Sequence, residues 1–512
     1  MLPRRARCCR PCPGRLMRQR FLLPRMAHRQ MAKPSSNEAL MRVYLLSPRR
    51  YAPEVIAVAF AKASRSPQPL DATAEELSEA ASARFHEKWV IGYGHASVAE
   101  HAVLHIAVEG LSRLATEVVE SHRLASYTEK SSRYQPFGPE DFVTPPELEA
   151  RPDLTARYRE TVQALFAAYH RCMESARAEI ARRDPPAAGE DPTRWDARHR
   201  SRYADVCRFL LPAASQVTLG MTINARALAH SLRKMLSHPF AEVRQLGAVL
   251  QQVAEAETPT LVRHVAPVRG WQQAREALRA RTADFRGGGT YAEDWCHLVS
   301  WDRGAEARVL AAALYRHGDR PYVDYLNYAR GLSAEARRTL AAELLGALDF
   351  RDIPPRALEY AAFTFDLVMD QGAYYEFKRH RMMSQSPQAL TARLGYAVPR
   401  LVAEIGLEDD YRAAMEAAAE TYEVLAAWNP DVAAYVVPNG FNRRVLAAFN
   451  LREAFHFLRL RTAPNAHFSI RRVAWRMAEE IGAVAPALAA FLALPESETW
   501  QTVEQQYFVG VR

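Results

Sequence analysis

Apolar and polar positions run through one order twice along this chain. Each pass opens on a short apolar run, "RVYLLSP" from Arg42 and "CHLVSWD" from Cys296, which predicts a strand. An Ala/Val/Leu-rich helix follows, "PEVIAVAFAKA" and "AEARVLAAALYRH". Next come "EHAVLHIAVEG" from Glu100 and "EYAAFTFDLVMD" from Glu359, whose alternating β-branched and aromatic residues suit half-buried strands. A helix then leads into a His-Arg motif in each pass: "SHRLASYTEKSSRY" (Ser121 to Tyr134) and "RHRMMSQSPQALTARLGY" (Arg379 to Tyr396). Beyond the motifs lie long amphipathic helices, "ARYRETVQALFAAYHRCMESARAEIARR" and "YRAAMEAAAETYEVLAAW". Each is followed by an apolar segment ending in proline, Pro212 or Pro438, and then by Asn-x-Arg on a helix, from Asn224 or Asn450. The first pass also carries "RDPPAAGEDPTRW", which reads as a flexible surface loop. The seam falls near Gly287 to Gly289, where periodicity breaks. The pattern predicts a duplicated unit of mixed strands and helices with one core per half, and leaves the topology open.

Charge changes the picture only at one end. The formal charge is +9, from 67 basic and 58 acidic residues. Nine arginines and Lys33 precede Glu38, the first acidic residue; without those ten the body has 57 basic residues against 58 acidic. The high pI therefore belongs to a tail, residues 1–40, and nucleic-acid binding by the body is not expected. The tail reads as a basic arm, a targeting segment, or a translation start placed too far upstream of Met41; "RFLLPRM" is too short and too charged for a secretory core. The cysteines of the body, Cys172, Cys207 and Cys296, are isolated, so neither a metal-type pairing nor a disulfide framework is expected. No apolar run reaches spanning length, and a reducing cytoplasm fits.

The candidate chemistry lies in the two motifs. Arg379, His380 and Arg381 form a dense cationic cluster suited to phosphate, which arginine grips with a planar fork. Ser131 and Arg133 add a hydroxyl and another fork, and His456, Arg459 and Arg461 share helical spacing. An exposed basic face is the bland alternative for a lone "RHR"; a second, offset copy weakens it. Neither a nucleophilic cysteine nor a G-x-G-x-x-G fingerprint is present, so a bound cofactor is the natural carrier of any reaction.

"GHASVAEHAVLHIAVEG", the two His-Arg motifs, "RFLLP" with "INARALAHSL", and "FNLREAFHFLRLR" together resemble the flavin-dependent thymidylate synthases over most of both halves. The resemblance implies an α+β fold (mixed α/β) of two tandem copies of the synthase unit, each a small sheet packed with long helices, at 41–275 and 290–505. It implies FAD, NADPH and methylenetetrahydrofolate as cofactors and dUMP as substrate; no membrane or nucleic-acid partner is expected. Single-unit family members are tetramers with clefts between subunits, so a homodimer of this longer chain is expected. Carried over by position, His95, Ser97, Glu100, His122, Arg123, Asn224, Arg226, His230, His380, Arg381, Asn450, Arg452 and His456 fall to FAD. Glu129, Ser131, Ser132, Arg133, Arg208, Arg379 and Arg461 fall to dUMP: Ser131 and Arg133 on its phosphate, Arg208 and Arg461 polarising the uracil carbonyls, Arg379 bracing nucleotide and flavin. A packed helix histidine is an equal alternative for His230 and His456. The halves depart from the family in opposite places. The first has Ser121 and Met235 where the family has arginines; the second has Pro354, Pro387, Ala389, Thr391 and Ala434 for His, Glu, Ser, Arg and Arg, and Glu376 for Gln. The losses are complementary, so one composite site is expected, with the reciprocal site dead. The alternatives are a catalytically silent FAD- or nucleotide-binding relative and a nucleic-acid binder acting through the tail.

Overall fold

The computed structural model describes residues 42–45, 51–63, 77–92, 96–283, 285, 294–349, 351–495 and 498–511. The basic tail and Gly287 to Gly289 lie outside them, as does His95.

The first half contributes β1 (Arg42–Leu45), α1 (Pro53–Ala63), β2 (Val103–Ser112), α2 (Arg113–Glu120), β3 (Ala125–Glu129), α3 (Pro152–Arg183), α4 (Pro192–Cys207), β4 (Gln216–Asn224), α5 (Ala225–Leu236) and α6 (Arg269–Ala283). The second contributes β5 (Cys296–Trp301), α7 (Ala305–Tyr315), β6 (Ala362–Asp370), α8 (Gln371–Phe377), β7 (Ser384–Pro387), β8 (Val398–Pro399), α9 (Glu408–Trp428), β9 (Asn442–Asn450), α10 (Leu451–Arg461) and β10 (Phe508–Gly510). Two antiparallel four-stranded sheets share one topology, β1-β2-β4-β3 and β5-β6-β9-β7. The short strands β8 and β10 pair with each other. In both sheets the central pair runs directly into helices, and a strand-end side chain caps each one. Ser112 and Asp370 cap α2 and α8, and Asn224 and Asn450 cap α5 and α10. A bulge interrupts β2 between Glu109 and Leu111, where Gly110 takes φ 76°.

Two hydrophobic cores lie one in each half, Leu104, Val108, Leu219 and Leu228 in the first and Phe365, Leu367, Phe457 and Ile470 in the second. A third core belongs to both. It holds Tyr158, Phe166 and Phe209 together with Tyr411, Tyr435 and Phe441. The two proline-ended segments meet there: Ala213 N donates to Val437 O at 2.9 Å, Ala214 N to Tyr435 O at 2.9 Å, Asn439 N to Leu211 O at 3.0 Å and Gly440 N to Phe209 O at 2.9 Å. Helices α3 and α9 pack alongside, with the Thr161 and Thr421 hydroxyls 2.8 Å apart. Full burial of one large apolar side chain contributes about 1.5–3 kcal/mol, so this shared core binds the halves into one body, residues 40–512.

Gly440 sits at the crossing because nothing larger fits. A Cβ there would stand 2.6 Å from the Tyr411 hydroxyl and 2.9 Å from the Met415 methyl. The hydroxyl cannot retreat freely, since it donates to Ala397 O at 2.7 Å. Gly440→Ala should cost about 1–3 kcal/mol of stability, as overpacked cores do; a denaturant melt checks it.

The shared core corrects the expectation of one core per half, and a second sequence expectation is corrected as well. The "RDPPAAGEDPTRW" segment is a loop only to Asp191. Pro192 opens α4, with Asp191 accepting from Thr193 N at 2.9 Å. Asp-Pro here is a cap followed by a first-turn proline, and Trp195 is buried, donating to Asp184 O at 2.8 Å.

Candidate functional site

The His-Arg motif follows α2 in one half and α8 in the other, and each arginine reaches into the opposite half. Arg123 Nη2 donates to Met383 O at 3.1 Å and to the Ser384 hydroxyl at 3.0 Å. Arg381 answers by donating to Ala125 O, with its guanidinium 5.3 Å from the Tyr127 ring centre. The histidines are buried beside the late helices. His122 Nε2 faces Ala227 O, and burial lowers its pKa to about 4. His380 is held far below the ordinary range by burial and by Arg461. Rings of His230 and His456 stand 4.9 and 5.5 Å from these two.

On one side of this junction charged groups of both halves converge. A cavity of about 350 Å³ is lined by Glu129 and Ser131 from the first half and by Lys378, Arg379 and Arg381 from the second. Glu129 is enclosed by Arg113 at 3.3 Å and Arg379 at 3.8 Å. Burial pushes its pKa up, but Arg113, Lys378 and Arg379 outweigh burial and hold it below the usual range. Arg113 lies 4.1 Å over the Tyr375 ring, and Lys378 is 2.7 Å from Glu120.

Next to it, Glu376 ties arginines from both halves. Arg461 Nη1 donates to one carboxylate oxygen at 2.8 Å and Arg208 Nη2 to the other at 3.4 Å. Arg208 is 4% exposed, and burial lowers its pKa. Burial would raise Glu376, but Arg208, Arg461, Arg133 and Arg379 hold it ionised. Arg461 Nε donates to His380 Nε2 at 2.9 Å, which requires the neutral imidazole that burial enforces. Arg133 forks onto Asp205 with two 2.7 Å bonds and crosses the junction to Asn465 O at 3.1 Å. Six charged groups from two halves thus form one electrostatic set: Glu129, Arg133 and Arg208 with Glu376, Arg379 and Arg461.

The other sequence-chosen residues fall elsewhere. Ser132 is buried beside Ser131. Asn224 and Asn450 use their side-chain oxygens to cap helices, accepting from Ala227 N at 2.8 Å and Glu453 N at 3.0 Å. Arg226 pairs with Glu100 at 2.5 Å and Arg452 with Glu359 at 2.8 Å, the same bond in each half. Ser97 is exposed at the end of a short turn of helix. Of the positions expected to depart from the family, Met235 is packed in the first core and Ala434 in the shared one. Sequence reasoning missed Arg113, Asp205 and Lys378. Lys378 stood next to "RHR" and Asp205 three residues before Arg208; Arg113, beside its cap in an apolar run, was the nearest to a signal, a charge with no reason to be buried unless paired.

These features define a class: a duplicated α+β unit with an arginine-rich cleft built jointly by its halves. The family described as thymidylate synthase complementing protein matches residues 48–260 and again 297–487. The chain belongs to that family, with the family unit present twice. It is 31% identical over 436 residues to a UPF0159 protein of Chlamydia muridarum (strain MoPn / Nigg), covering 81% of this chain and 82% of that one. It is 33% identical over 151 residues to a flavin-dependent thymidylate synthase of Thermococcus kodakarensis, covering 29% of this chain and 51% of the relative. A crystal structure of the flavin-dependent thymidylate synthase from Helicobacter pylori, complexed with FAD and dUMP, aligns to 44% of this chain and 99% of its own, with 18% identity and a TM-score of 0.30.

Proposed function

We propose that this protein is a flavin-dependent thymidylate synthase that methylates dUMP to dTMP, with one composite site per chain made by repeats at 41–275 and 290–505. The observation that carries it is the meeting of complementary losses: the groups kept by one half and those kept by the other converge around Glu129 and Glu376. FAD fits the donor set, because on the cavity wall Arg379 is about half exposed with its carboxylate contact to Glu129 at 3.8 Å, and Arg381 beside it has no carboxylate at ion-pair distance among the described residues. Arg379, Arg381 and Lys378 would hold its phosphates; when bound, it supplies electron and hydride transfer, with NADPH and methylenetetrahydrofolate as reductant and carbon donor. The chain's own work is electrostatic. Ser131 and Arg133 bind the dUMP phosphate. Arg208 and Arg461, already converging on one carboxylate, stabilise negative charge developing on the uracil carbonyls. A homodimer in the cytoplasm is part of the same reading.

One observation favours a second reading, a silent FAD- and nucleotide-binding relative. Glu376 stands where the family has Gln and already occupies Arg208 and Arg461, while Asp205 occupies Arg133. The test supplies FAD, NADPH and methylenetetrahydrofolate and measures dUMP-stimulated NADPH oxidation together with dTMP. The synthase forms dTMP. Flavin binding without dTMP selects the silent relative, and no flavin absorbance after FAD is supplied overturns both.

A further inference from the structure

The side of the junction that lost its nucleotide arginines is not closed. Ser121 and Pro387, two of the lost positions, line a cavity of about 520 Å³, larger than the one beside Glu129. Its wall is completed by α6, which lies outside both family-matched segments. That helix is pinned at both halves. Val268 N, just before it, donates to the Ser237 hydroxyl at 2.8 Å, and Arg279 forks onto Asp431 with bonds of 3.1 and 2.7 Å. Pinned so, it presents Trp271 and Arg275 to the cavity.

The lining is cationic in a specific way. Lys234 Nζ donates to the Ser121 hydroxyl at 2.7 Å, and Arg275 Nη2 to Ser237 O at 2.6 Å. Arg123 donates to a carbonyl and a hydroxyl of the other half. Among the described residues none of these three has a carboxylate at ion-pair distance. The two acids in the wall are already held, Glu117 by Arg443 at 2.7 Å and Glu120 by Lys378 at 2.7 Å. Asp431, whose charge reaches Arg275, is held by Arg279. Burial destabilises the Lys234 ammonium, a cost that an incoming anion offsets. Lys234 is one residue before Met235, the lost arginine position, and Arg275 has no family counterpart in the matched segments. The charge here has been rebuilt from new positions.

We infer that this second cavity is a binding site for a phosphate-bearing small molecule, held by Lys234 and Arg275, which do not line the cavity beside Glu129, although Glu120, Lys378 and Arg381 line both. It holds whether or not the cleft turns over dUMP. Inorganic pyrophosphate, titrated into the full chain while tryptophan fluorescence is read, tests it, because Trp271 lies in the wall. A saturable change that disappears in Trp271→Phe is expected. The Lys234→Gln/Arg275→Gln double variant should raise the midpoint at least about tenfold, the loss of charge-assisted hydrogen bonds to phosphate. Lys234→Arg, which keeps the charge and reports on folding, should hold the midpoint near the wild-type value. Arg133→Ala, across the junction, should leave it in place. No Trp271-dependent signal, an unmoved midpoint in the double variant, or a midpoint lost in Arg133→Ala overturns the inference.

Discussion

Arg461→Ala should lower dTMP formation by about 10²–10³-fold, the range seen when one preorganised donor to a developing oxyanion is removed. Met235→Ala, at the matching place in the first half, should leave the rate within about twofold. The contrast follows from placement. Arg461 points at Glu376 beside Arg208, in the charge set shared by both halves. Met235 is buried among Leu232, Val243 and Leu246, away from that set. Initial rates with saturating dUMP, together with a melting curve to set apart any instability from the lost Met235 packing, check both variants. Equal losses in the two would mean that each half works alone.

The second large effect is on stability. Glu376→Ala removes the carboxylate that faces Arg208 and Arg461 and leaves buried Arg208 with Asp205, already forked by Arg133, as its remaining nearby counter-charge. Breaking a buried pair from one side costs about 3–5 kcal/mol. The same removal frees Arg461 to swing, since its remaining hydrogen bond among the described residues is the one to His380. A urea melt followed by circular dichroism should show the midpoint fall with little change in slope. A variant as stable as wild type would mean that the arginines pair with Asp205 or solvent instead.

Much of this fold was legible because periodicity and capping chemistry are local. The strand starts at Arg42 and Cys296, the helix over Pro53–Ala63 and the Asn-x-Arg helices follow from residues within one turn of each other. The Asp191-Pro192 cap was also local, yet "PPAAG" just before it carried the stronger turn signal. The shared core was not legible. Nothing in "FLLP" or "YVVP" names its partner, and only the fold reveals that each pairs with the other. The motif arginines were legible as cations, but their roles were not. Arg123 and Arg381 fasten each half to the other, a role the motif alone does not show. The buried counter-charges were least legible. Arg113 meets Glu129, and Asp205 meets Arg133, across 16 and 72 residues of sequence respectively, and a pattern read along the chain cannot show such pairs.

The central claim is that two halves make one nucleotide site. Equilibrium dialysis with labelled dUMP at low concentration, on wild type, Arg133→Ala and Arg461→Ala, counts high-affinity sites per chain. The composite site predicts one per chain in wild type and none in either variant, because the two arginines sit in different halves and serve the same nucleotide. Two sites per chain in wild type, with either variant keeping one, would contradict it.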